Sequence, residues 1–104
     1  PMEQSEAVCF QMIASIGEAT ACYMEALETA KNGDFVKAGL LIQQGEQNAL
    51  SCHREHATLL SAMANHEKIE ISLLLMHAED QMMNGEMIKL MVKELIEVYQ
   101  TIKA

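Results

Sequence analysis

The stretch KNGDF, Lys31 to Phe35, decides how the first half of the chain is divided. Asn32 and Gly33 both tolerate the left-handed conformation in which a helix closes its last carbonyls, and the Asp34 carboxylate can accept a hydrogen bond from the next turn. One helix therefore ends here and another begins. Upstream, Val8, Met12, Ala19, Tyr23, Ala26 and Leu27 recur at helical spacing, which predicts a first helix from about Gln4 to Lys31. Downstream, a second helix is predicted from about Phe35 to Ala64, with its continuity weakened at QQGEQN, Gln43 to Asn48. NHEKIE, Asn65 to Glu70, reads as a connection, and Ser72 as the cap or first-turn residue of a third helix reaching about Ile102. The predicted fold is all-α. Three helices of about 30 residues make an antiparallel up-down-up bundle roughly 45 Å long.

Composition agrees with that reading. A chain of 104 residues is one domain, large enough for one core. Half of its residues are apolar but only 4% are aromatic, and nine are Met, a balance that favours helix on helix. The net charge of −8, with only seven Lys and Arg, argues against nucleic acid and anionic lipid as partners. No apolar segment is expected to span a bilayer, and Glu3 and Glu6 do not suit a signal peptide, so a soluble, cytoplasmic protein is expected. Cys9, Cys22 and Cys52 show no C-x-x-C spacing and are expected to be small apolar core residues.

Drawn at about 100° per residue, the third helix concentrates Glu79, Glu86, Lys93, Glu97 and Gln100 in one narrow arc, the expected solvated face. An arc that narrow implies burial on more than one side. The other two helices cover one side. The remaining apolar surface, centred on Leu74, Ile88, Met91, Leu95, Val98 and Ile102, needs a further partner, and the repeat 74, 81, 88, 95, 102 has the spacing of a coiled-coil seam. A homo-oligomer with this helix at its centre is the economical expectation. His77, Asp80, Gln81 and Asn84 are assigned to the same seam, where an unpaired polar group costs about 1–3 kcal/mol. Such a cluster reads either as a polar layer that fixes oligomer state or as a chemical site, since an imidazole can act as nucleophile and base. Spacing alone does not choose between them.

Three stretches then carry a resemblance: MHAEDQMM (Met76 to Met83), AKNGDFVKA (Ala30 to Ala38) and ELIEVY (Glu94 to Tyr99). Along nearly its whole length the chain resembles the lactose/cellobiose-type IIA component of the bacterial sugar phosphotransferase system, whose motif runs H-[AG]-Q-D-H-L-M. The resemblance implies a homotrimer forming a nine-helix bundle that accepts a phosphoryl group from HPr and passes it to a cysteine of the IIB component, meeting the membrane component IIC only indirectly. It implies phosphorylation of His77 and a cation such as Mg²⁺ held by Asp80 at the trimer axis. Two positions depart from the pattern: Glu79 stands in place of Gln, and Gln81 in place of a second His. Glu79 lies about 200° from His77 around the helix, so its charge is expected to perturb the site little, whereas Gln81 shares the face of His77 and can donate a hydrogen bond but carry no proton.

HREH, His53 to His56, is a candidate metal pair without the surrounding ligands of a known zinc site, and reads more simply as surface or interface histidines. By the resemblance His53 falls close to the active site and is an accessory candidate. Met76, Met82, Met83, Met87 and Met91 read as adaptable packing, with docking of carrier proteins around His77 as a second role. The function expected is that of a phosphohistidine carrier. The alternative is a non-catalytic helical oligomer in which His77 is a binding or switch residue.

Overall fold

The structure, a computed structural model, describes residues 2–103, with side chains from Ser5 onward. It consists of α1 (Met2–Lys31), α2 (Phe35–Ala64) and α3 (Leu73–Lys103), and among the described residues there is no strand. The bundle measures 54 × 20 × 16 Å, one helix in length and about two helix diameters across.

Local chemistry sets the boundaries. At the end of α1 the Gly33 N–H donates to the Ala30 carbonyl (2.9 Å) and the Asp34 N–H to that of Thr29 (3.2 Å), with Gly33 at φ 89°. This pair of bonds is a Schellman closure, and glycine adopts its left-handed residue without steric cost. The end of α2 closes in the same way. His66 N–H donates to Met63 and Glu67 N–H to Ala62, each at 3.0 Å, but the residue at positive φ (62°) is now His66, a histidine. Asp34 Oδ1 accepts from the Lys37 N–H at 3.0 Å, and Ser72 Oγ from the Leu75 N–H at 3.1 Å, so both expected caps are in place.

α1 is the central helix. It packs extensively on both neighbours, while α2 and α3 meet each other much more sparingly. Its buried residues Cys9, Met12, Ile16, Ala19, Tyr23, Ala26 and Ala30 run along the core. Being covered on two sides, α1 is apolar over most of its circumference. That corrects one expectation: Ser5–Lys31 does reach the length and apolar content of a membrane-spanning helix, and it does so as the core helix of the bundle. Cys9, Cys22 and Cys52 are buried as expected, and burial pushes the Cys9 and Cys52 thiols up. Raised thiols are poor nucleophiles.

The weakened middle of α2 is in fact continuous helix, and packing explains its glycine. A Cβ on Gly45 would come within 2.5 Å of Tyr23 Cε1, so the tyrosine ring lies directly on the α2 backbone. Gly85 does the same for Ile16 on α3, where a Cβ would come within 2.6 Å of Cδ1. Two large residues of α1 thus fix its separation from both neighbours.

Candidate functional site

On α3 the free apolar stripe is displaced from the one expected. Leu74 and Ile88 pack against the core and Gln81 is half-buried. Met91, Leu95, Val98 and Ile102 are exposed as expected, while toward the start of α3 it is Leu73, Met76, Met83 and Met87 that are exposed. The seam at its start and middle is therefore corrected to a line through positions 73, 76, 80, 83 and 87, an alternation of three and four residues that still suits helix packing. Leu74, Gln81 and Ile88 lie beside the buried line of Leu75, Ala78, Met82 and Gly85, whose position the wheel alone does not reveal.

Asp80 sits on the midline of this stripe, exposed and flanked by Met83, Asn84 and Met87. His77 is exposed on its flank, one turn away. Neither side chain makes a hydrogen bond or ion pair among the described residues, and Asp80 does not orient His77 within the chain. Gln81 lies half-buried between the stripe and the core, on the side of His77. His77 is the fifth residue of α3, just past the first turn, whose dipole favours negative charge.

On the other α3 arc Glu79, Lys93, Glu97 and Gln100 are exposed as expected, and Glu86 is half-buried where the arc's edge meets α2. Glu79 Oε2 lies 2.9 Å from His56 Nε2, and Glu86 Oε1 lies 2.8 Å from His53 Nε2. Farther along, Glu46 of α2 receives Lys93 at 3.5 Å and Lys89 at 4.0 Å. These pairs form a polar seam where apolar contact between α2 and α3 is sparse. The hydrogen bond from His53, with help from Lys89, holds the Glu86 carboxyl below the usual carboxylate range. Under the seam, the Tyr23 hydroxyl is buried without a hydrogen-bond partner among the described residues, and burial with Glu86 and Glu46 nearby pushes it up to about 12.

His53 and His56 are thus interface histidines and not a metal pair. His53 is also separated from His77 within one chain: its partner Glu86 lies nine residues along α3 from His77, about 13 Å away and about 180° around the helix. The charge of Glu79 does point away from His77, as expected, and the structure adds its destination, His56. These cross-helix pairs are the feature that sequence reasoning missed. The available signal was the set Glu46, His53 and His56 on α2 facing Lys93, Glu86 and Glu79 on α3 in reverse order, which becomes visible once an antiparallel register is assumed.

As for a metal, no group of three or more His, Cys, Asp or Glu side chains converges among the described residues. A single chain offers one hard carboxylate, that of Asp80, on a surface suited to meeting other copies. That arrangement fits a shared cation only where several chains contribute.

Residues 7–100 match the family model described as the lactose/cellobiose-specific IIA subunit of the PTS system. The lactose-specific EIIA component of Staphylococcus aureus is 34% identical over 98 residues, spanning 94% of this chain and 95% of that one. The crystal structure of the cellobiose-specific enzyme IIA from Bacillus anthracis superposes with a TM-score of 0.93 at 33% identity, over 95% of this chain and 91% of that one. A solution structure of the IIA(Chitobiose)–HPr complex from Escherichia coli is similar at a TM-score of 0.84 and 30% identity, covering 96% and 97% of the two chains.

Proposed function

We infer the function from the premise that the chain belongs to the lactose/cellobiose-specific IIA family of the sugar phosphotransferase system: it is a phosphoryl carrier, loaded by HPr and unloaded by a IIB component, with His77 as the acceptor. The observation that carries the choice of residue is the state of the histidines. His53 and His56 are each held by a glutamate, and His66 closes the end of α2. His77 stands exposed near the start of α3 with no hydrogen bond among the described residues, beside an apolar stripe on which a partner can dock.

In the loading step a ring nitrogen of His77 attacks the phosphorus carried on the histidine of HPr. The donor P–N bond breaks as the new one forms. In unloading, a IIB thiolate attacks the same phosphorus, an S–P bond forms, and the imidazole of His77 is restored. Such transfer requires mainly alignment and charge stabilisation. The positive start of α3 favours the phosphoryl charge, and the amide of Gln81, one turn from His77, would donate a hydrogen bond to it.

The working form is a cytoplasmic homotrimer in which the free stripes of three α3 helices meet. Three Asp80 carboxylates then converge, and like charges this close require protons or a cation for compensation. Asp80 would hold a hard ion such as Mg²⁺, whose contribution is charge neutralisation at the axis. The alternative, a non-catalytic oligomer, is not favoured by the family. The sugar is selected elsewhere, since the carrier handles only phosphate. A direct test is to phosphorylate the chain through HPr, isolate it, and add a IIB component. Loss of one phosphate mass from the carrier with gain on the IIB cysteine is expected; a label that stays on the carrier contradicts the carrier role.

A further inference from the structure

His56 has no part in the phosphoryl chemistry above, yet it is held more deeply than the other seam histidine: its side chain is 15% exposed against 43% for His53. Its Nε2 meets Glu79 Oε2 at 2.9 Å. Glu79 is two residues beyond His77 and about 200° around the helix from it. Holding Glu79 against α2 therefore turns the imidazole of His77 to the opposite flank. The rest of α3 does not fix that direction equally well. Its buried line is Leu75, Ala78, Met82, Gly85 and Val92, and the close lock on that line, Ile16 seated on Gly85, lies eight residues beyond His77. A tie at the flank resists rolling. Of the three places where the polar seam crosses, Glu46 with Lys89 and Lys93, His53 with Glu86, and His56 with Glu79, the last lies within one turn of His77.

We propose that His56 is a positioning residue for phosphoryl acceptance: through Glu79 it sets the roll of the first turns of α3 and hence the direction of the His77 imidazole. The proposal rests on His77 being the acceptor. In-line transfer is sensitive to such settings, since a displacement of 1 Å can cost up to about 10²-fold.

The test is single-turnover transfer from phosphorylated HPr at saturating donor, with melting temperature and oligomeric mass measured for each variant. His56→Ala should slow transfer at saturation by about tenfold, with little change in the donor concentration giving half-maximal rate. His56→Gln, whose amide can still donate to Glu79, should recover most of that loss. Glu79→Ala should match His56→Ala, and the double variant should be no slower than either, as expected for two ends of one contact. Lys93→Ala, which removes a seam tie far from His77, should transfer at the wild-type rate. Transfer by folded His56→Ala at the wild-type rate overturns the proposal. So does an equal loss in Lys93→Ala, which would make the seam merely structural; and if His56→Ala does not fold, a rate in His56→Gln as low as that of Glu79→Ala does the same. Labelling that persists in His77→Ala removes the acceptor reading itself, a result separable from all of these.

Discussion

The ring of Tyr23 lies on the backbone of Gly45, so close that a Cβ there would sit 2.5 Å from Cε1, 2.8 Å from Cδ1 and 3.1 Å from the Ala19 carbonyl oxygen. Tyr23 is fully buried and cannot swing aside. Gly45→Ala should therefore destabilise the fold by about 1–3 kcal/mol despite alanine's better helix propensity. Gly39, in the same helix with nothing within 4 Å of its would-be Cβ, provides the contrast. Gly39→Ala should stabilise by about 0.5–1 kcal/mol. Urea midpoints for the two variants should move in opposite directions.

Acid stability should depend on the seam. Because Glu86 is held below its ordinary value of 4.5 by His53 and Lys89, its contribution is present above that value and is lost as pH falls through the lower folded one. Glu86→Gln should flatten the acid limb of the stability curve, by at most about 1 kcal/mol for so accessible a pair. Tyr23 works in the other direction. Raised from 10.0 to about 12, it contributes stability that is present below pH 10 and lost as pH rises toward 12. Tyrosinate absorbance should show Tyr23 ionising with alkaline unfolding, and Tyr23→Phe should lessen that alkaline loss.

Helix number and boundaries were legible because each rests on a residue with local chemistry: Gly33 at positive φ, and the caps Asp34 and Ser72. The end of α2 was legible only as a connection, since His66 occupies the left-handed position that a glycine usually marks. Gly45 read as a weak point because its role, receiving Tyr23, depends on a residue of another helix. For the same reason the partners of His53 and His56 stayed hidden: which glutamate each histidine meets depends on the register of α2 against α3. At the site, the identities of His77, Asp80 and Gln81 came from the motif. The wheel misplaced the start of the stripe because which α3 positions α1 covers depends on a contact between helices, Ile16 on Gly85, that one helix's periodicity does not contain.

Assembly follows from the corrected stripe. Light scattering at micromolar concentration should report about three times the chain mass of 11.6 kDa. Met87→Lys, on the exposed stripe, should shift the mass toward that of one chain. A chelator should lower the melting temperature of the wild type, whereas Asp80→Asn, which removes both the ligand and the repulsion, should be insensitive to it. Identical responses of wild type and Asp80→Asn to chelator and added Mg²⁺ would assign Asp80 another role.

The most direct test of the account is to incubate the chain with phosphoenolpyruvate, enzyme I and HPr and to weigh the products for wild type, His77→Ala and His53→Ala. The wild type and His53→Ala should each gain the mass of one phosphate, labile in acid and stable in base, while folded His77→Ala should gain none. Labelling that survives in His77→Ala and disappears in His53→Ala would contradict the assignment of the acceptor.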